Sequence, residues 1–244
     1  LKGDLGKDRK DVGMMIKTFC ETFKNVATHN KPGLVLKTSG AGFSIIDRDE
    51  QLRKIHAICE PYGDKAPNVY LLHGDLSDYE MNSLYNHPKM KVMVSFTKGE
   101  GFGRPLLEYS ITGKPVMATG WSGQLDFLKP EHSILLPGQL TKVHPSAADQ
   151  FLLKDADWFT VNYQYASGIM KDLYKNYKKF LEKSRKSTQY VKNNFTLDKM
   201  TEKLSSIIED NCNIPEPVAL NLPKLNKVGS GTPGKLKLPK LNKV

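Results

Sequence analysis

Between Val92 and Thr119 an apolar stretch runs into a glycine-rich turn, then into a helical stretch and a second apolar stretch. Gly99, Gly101 and Gly103 make the turn, and Pro105 follows where a first helical turn tolerates its missing N–H. The helix is expected to stop near Gly113, and Pro115 to Thr119 reads as the next strand. A strand, a tight turn, a helix and a strand in that order admit few folds. The two strands lie parallel in one sheet, and the helix crosses over them with a right hand. Glu100 and Glu108 flank the turn with seven residues between them. N–H groups at a helix start suit a phosphate, and a carboxylate one turn further accepts hydrogen bonds from sugar or ribose hydroxyls. These residues point to a site for a nucleotide-diphosphate sugar.

The same alternation extends in both directions. Val12, Met15, Ile16, Phe19, Phe23 and Val26 fall on one helical face, and Leu34 to Thr38 reads as a buried strand ending at Ser39-Gly40. A helix is expected over 48–60, a strand over 68–72 ending at His73-Gly74, and a short helix over 77–86 with Ser77 as its N-cap. Beyond the glycine-rich turn come a helix at 104–112, a helical turn at 124–127 and a strand at 134–136. Amphipathic helices are expected over 160–187 and 197–209. The fold class is therefore α/β: a Rossmann-like parallel sheet flanked by helices. Gly40, Gly74, the 97–103 loop and the 120–123 loop all fall at carboxyl ends of strands, where such sheets bind ligands.

Glu-Gly-Phe-Gly-x-Pro-x-x-Glu, followed by Gly-Lys-Pro-Val-x-Ala-Thr and Trp-Ser-Gly, resembles the donor site of retaining glycosyltransferases of family 4, also called group 1. The resemblance is closest over 95–137 and extends more loosely over about 1–210. It implies the GT-B fold, of which this chain would be the C-terminal, donor-binding half. It implies that Glu108 holds the ribose hydroxyls and that Glu100 lies by the donor sugar. It places Phe102 and Gly103 where backbone N–H groups approach donor oxygens, counts Gly101 in the same donor-binding turn, where its role is the turn itself, and sets Trp121, Ser122 and Gly123 along the donor pocket. Arg9-Lys10 resembles the basic pair that binds the diphosphate, with Lys10 as the phosphate lysine. The family's glycine-arginine step is replaced here by Gly3-Asp4 or Gly6-Lys7. Arg104 and Tyr109 also depart from the family's usual apolar and small residues. The implied activity is a retaining hexosyl transfer to an acceptor hydroxyl. No cofactor or metal is implied beyond the nucleotide-sugar donor. The acceptor, whether glycan, lipid or protein, is unnamed, and the acceptor domain is expected elsewhere. The alternative is a non-catalytic nucleotide-sugar binding module or a subunit of a larger assembly.

The 244 residues carry 39% hydrophobic residues, enough for the core of one α/β domain, and no run approaches a membrane span. The opening Leu1-Lys2-Gly3-Asp4 has no secretory pattern and is expected to belong to a piece of a longer, cytoplasmic protein. Cys20, Cys59 and Cys212 are an odd set without a C-x-x-C and read as reduced thiols. Asp47-Arg48-Asp49 and Asp155-Ala156-Asp157 match a metal-site dipeptide formally, but the first reads better as a helix start. The net charge is +10, and half of it lies in residues 213–244. That segment repeats Leu-Pro-Lys-Leu-Asn-Lys-Val and reads as a low-complexity, disordered tail on a domain of residues 1–212. The positive charge suits a diphosphate or weak contact with an anionic membrane surface. No nucleic-acid-binding signature is present, so no nucleic-acid partner is expected.

Overall fold

The computed structural model describes residues 5–38 and 44–212. Gly3-Asp4, Gly40 and the 213–244 segment lie outside those residues. The described residues up to Met200 form one compact unit and those from Thr201 another; the sheets and the site belong to the first.

The fold is α/β. Among the described residues five strands run parallel in two groups. β1 (Leu34–Thr38) pairs with β2 (Val69–His73), in the register Leu34 to Val69. β3 (Met93–Ser95), β4 (Val116–Thr119) and β5 (Ile134–Leu136) form the second group, with β4 central. Helix α1 (Val12–Phe23) precedes β1, and α2 (Ile45–Cys59), α3 (Asp78–Asn86) and α4 (Arg104–Ser110) connect successive strands from β1 to β4. Side chains on β3 and β4 alternate between two cores, as strand geometry requires. Val94 and Met117 join Met15, Phe19 and Phe23 of α1, whereas Met93, Val116 and Ala118 join Leu106 and Tyr109 of α4.

An antiparallel hairpin, β6 (Gly138–Lys142) with β7 (Asp157–Val161), follows β5. Sequence periodicity does not reveal it. Residues 160 and 161 read as part of a long helix, because Val161 and Tyr165 share helical spacing. The helix begins instead at Tyr163, where the Asn162 side chain accepts from the Tyr165 N–H at 2.9 Å. It runs as α5 (Tyr163–Lys175) and breaks at Asn176, whose backbone is non-helical at φ −121° and ψ 35°. α6 (Tyr177–Asn194) and α7 (Leu197–Asn211) complete the described chain. Thr22 of α1 donates to Ser167 of α5 at 2.8 Å, fixing these two helices together.

The expected helix at 48–60 starts earlier, at Ile45. Its N-cap is Ser44, which accepts from the Asp47 N–H at 3.0 Å, so Asp47 is a first-turn acid and not the cap. Asp47 also pairs with the His73 ring at 2.8 Å, and Asp157 with Lys142 at 3.1 Å. Among the described residues no group of three His, Cys, Asp or Glu side chains is placed to hold a metal ion, and no helix is long and apolar enough to cross a membrane. Cys20, Cys59 and Cys212 are free, with Cys20 and Cys59 sulfurs 4.0 Å apart.

Ser77 does cap α3, in a reciprocal box: its hydroxyl accepts from the Glu80 N–H at 3.3 Å, and the Glu80 carboxylate accepts from the Ser77 N–H at 2.8 Å. Ser77→Ala is expected to cost about 1 kcal/mol of folding stability, read as a lower urea midpoint with an unchanged slope.

Candidate functional site

The carboxyl ends of β3 and β4 carry the loops that the sequence singles out. Residues 97–103 leave β3 and residues 120–123 leave β4. Glu100 and Ser122 lock the two loops together. The Glu100 N–H donates to the Ser122 hydroxyl at 3.1 Å, that hydroxyl donates to the Glu100 carbonyl at 2.6 Å, and the Gly123 N–H reaches the same carbonyl at 3.0 Å. A Cβ on Gly123 would collide with the Gly101 carbonyl, so only glycine allows the loops this close. Ser122 itself has φ 77°, a strained setting for a residue with a side chain. Gly103 starts α4 with φ 85°, again a setting that favours glycine. The Cβ of a residue replacing Gly101 would meet open space.

The 5–11 segment lies over these loops. Arg9 donates to the Gly99 carbonyl at 2.6 Å and approaches the Glu100 carboxylate at 3.6 Å. Lys10 forms a direct ion pair with the other Glu100 oxygen. Burial pushes the Glu100 carboxyl up, but Lys10, Thr97 and Arg9 outweigh that and hold it below the usual range. Arg9, Lys10 and Glu100 are thus one cluster, assembled from segments 90 residues apart.

Glu108 sits on α4, where it pairs with Arg104 at 2.8 Å, one helical turn away. Arg104 is largely exposed, and α4 has only seven residues. The dipole of so short a helix is modest, so any anion here relies on loop N–H groups and on Arg9 and Lys10. Phe102 packs its ring against Phe127 and Phe195, at centroid distances of 5.3 and 6.4 Å, leaving its backbone at the turn. Trp121 is 42% exposed and stacks flat on Phe159 at 5.8 Å, so it is a surface residue and not an inert core aromatic. Tyr109 is buried and meets Tyr85 edge-on.

The residues beneath the cluster are not apparent in the sequence. Lys98 is 2% exposed. Its ammonium donates to the Gly6 carbonyl at 2.5 Å, lies 3.9 Å from Asp11 and sits 4.5 Å over the Trp158 ring. Its backbone N–H donates to Arg9, and its carbonyl accepts from Phe159. Burial pulls the pKa of the Lys98 ammonium down. Asp11 is fully buried, has φ 51° and accepts from the Tyr163 hydroxyl at 2.6 Å. In sequence, a lysine between a strand and a glycine turn reads as a surface residue, and nothing local pairs positions 11, 98 and 163.

Burial raises the pKa of the Asp11 carboxyl to about 6, against the opposing pull of Tyr163 and Lys98. The folded chain therefore holds this proton more tightly than the unfolded chain does. The stability this gives is full below the ordinary aspartate range and is lost as pH rises through about 6. The tighter hold on the proton is worth about 3 kcal/mol. Unfolding free energy measured from pH 4 to pH 6.5 is expected to fall for this reason, and Asp11→Asn is expected to flatten that part of the profile.

Comparisons with known proteins add the fold. No family model matches the chain, and no curated protein matches its sequence. Solved structures do match. Anabaena HepE, in complex with UDP and glucose, aligns with a TM-score of 0.54 and 13% identity over 79% of this chain. The pneumococcal O-GlcNAc transferase GtfA, in complex with UDP and GlcNAc, aligns at 0.52 and 20% identity over 83%. Sucrose-phosphate synthase from Thermosynechococcus elongatus aligns at 0.53 and 16% identity over 83%. The chain spans 44%, 33% and 43% of those proteins respectively, less than half of each. The domain thus has an α/β fold with parallel sheets flanked by helices, shared with glycosyltransferases of GT-B architecture.

Proposed function

We propose that this domain binds the nucleotide-diphosphate sugar of a retaining glycosyltransferase of family 4 and that the reaction transfers a hexosyl unit to an acceptor hydroxyl. The observation that carries the reading is the meeting of Arg9 and Lys10 with Glu100 at the carboxyl end of β3, with Glu108 on the helix that leaves the same loop. Two cations and two carboxylates at a loop of this shape match the charge of a diphosphate joined to two hydroxyl-rich sugars.

In this reading Arg9 and Lys10 face the diphosphate. They leave Glu100 in part when the donor arrives, and the freed carboxylate oxygens accept from donor-sugar hydroxyls. Glu108 accepts both ribose hydroxyls. Its ion pair with Arg104 is exposed, so giving it up costs little. The backbone of Phe102 and Gly103 meets donor oxygens, and Trp121, Ser122 and Gly123 line the sugar side. As the bond from the sugar to the diphosphate breaks, the acceptor oxygen bonds to the same face of the sugar and its proton passes to the departing phosphate. Arg9 and Lys10 stabilise the charge that develops there. They carry this charge without a metal ion. The acceptor side lies outside what this domain is proposed to bind.

HepE is seen with UDP-glucose and GtfA with UDP and GlcNAc, which makes UDP the first probe. Calorimetric titration is expected to show UDP binding that EDTA leaves unchanged. Glu108→Ala is expected to weaken it about ten- to 150-fold, the loss of a hydrogen bond to a charged group worth about 1.5 to 3 kcal/mol. The variant's melting temperature is expected to stay near that of the parent. Equal UDP affinity in the two folded proteins would remove Glu108 from the donor site.

A further inference from the structure

The side chains of Arg9 and Lys10 are long and half-exposed, at 47% and 50%, so burial does not fix where they point. Their backbone does. Lys98 ties that backbone twice: its ammonium donates to the Gly6 carbonyl at 2.5 Å, and its N–H donates to the Arg9 carbonyl at 2.8 Å. Asp11, which follows Lys10, closes the stretch from the other side. Its carboxylate accepts from the Tyr163 hydroxyl at 2.6 Å and lies 3.9 Å from the Lys98 ammonium. Its carbonyl accepts from the Met15 N–H at 3.0 Å, in the first turn of α1. Arg9 and Lys10 therefore project from backbone held at Gly6, Arg9 and Asp11, and Lys98 takes part in each hold.

We propose that Lys98 is the positioning residue of this cation pair: without touching a ligand, it sets the backbone from which Arg9 and Lys10 reach Glu100 and the donor diphosphate. The donor half of this inference rests on the proposed function, and the Glu100 half does not. Long cationic side chains lose rotamer freedom when a ligand orders them, and a preset backbone removes part of that cost. Lys98 also carries the other member of the contact. It directly precedes Gly99, whose carbonyl accepts from Arg9 at 2.6 Å, and Glu100 comes next. A shift at Lys98 thus moves the cations and the carboxylate against each other. Its ammonium cannot be traded for an apolar group without loss, because the Gly6 carbonyl would be left without its donor.

The competing account is that Asp11 and Lys98 stabilise the fold and do nothing more. Two variants separate the accounts. Lys98→Met keeps the apolar stem and removes the ammonium. Lys98→Met combined with Asp11→Asn removes both charges and leaves no buried carboxylate without a cation. Asparagine also tolerates the positive φ of position 11. If the pair only stabilises the fold, the double variant returns to parent behaviour. If Lys98 positions the cations, the double variant folds and stays impaired, because the Gly6 carbonyl still lacks its donor.

The test on the full chain reads the Glu100 carboxyl by NMR titration, and UDP and uridine affinity by calorimetry. In the parent, Lys10, Thr97 and Arg9 hold Glu100 below the usual range. In both variants its midpoint is expected to rise to the ordinary glutamate value or above it, since burial remains and the cations no longer meet it squarely. UDP affinity is expected to fall at least about tenfold in both, and affinity for uridine, which has no phosphate, less than about threefold. The double variant decides if the single one does not fold. A Glu100 midpoint in the folded double variant equal to that of the parent would overturn the proposal. So would UDP affinity restored in the double variant, or an equal loss of UDP and uridine. A raised Glu100 midpoint in the variants of a parent that binds no UDP would keep the positioning role and remove the donor-site reading.

Discussion

A buried ammonium holds the candidate site together. Lys98 leaves β3 and turns inward, where its charge meets the Gly6 carbonyl, the Asp11 carboxylate and the face of Trp158. Its backbone meanwhile bonds to Arg9 on one side and Phe159 on the other. Three segments distant in sequence, the 5–11 loop, the β3 exit and β7, are thereby fixed to one residue. An unpaired charge in such a place would be costly, so these partners are obligatory. Because Arg9 and Lys10 belong to the segment that Lys98 holds, their meeting with Glu100 depends on it. The exposed cluster is built on the buried one.

The two carboxylates of this region respond to their surroundings in opposite directions. Asp11 lies among packed side chains, and burial outweighs Tyr163 and Lys98, so its proton is held tightly. Glu100 lies near the surface, and Lys10, Thr97 and Arg9 outweigh burial, so it stays ionised. Divergent environments for neighbouring carboxylates separate a structural acid from one available to a ligand. The backbone supports the same division. Ser122 and Gly123 hold the Glu100 carbonyl, which leaves its carboxylate turned to the cations.

The sheets behind the site are unequal. β4 is buried throughout, while β1 and β3 face a cavity. The β3 exit, which carries Lys98, therefore rests on a strand paired along one edge only among the described residues. Lys98 itself ties that exit to Gly6, Arg9 and Phe159.

The local units are legible in the chain. The strand, glycine turn and helix around 92–119, the capping box at Ser77 and the parallel α/β class follow from periodicity, cap chemistry and glycine placement, all encoded within a few residues. The pairing of Glu100 and Glu108 with one turn is legible for the same reason, and Arg9-Lys10 is legible as a basic step. Packing settles the rest. A buried lysine has no local signature, so Lys98, Asp11 and Tyr163 meet only because α1, β3 and α5 pack together. The β6–β7 hairpin escapes a local reading because Val161 fits a helical spacing as well as a strand, and the choice falls to Asn162 capping α5. The partition of the parallel strands into two groups is likewise a matter of which edges meet. A strand's own residues state that it is apolar on both faces; they do not state which neighbour satisfies its backbone.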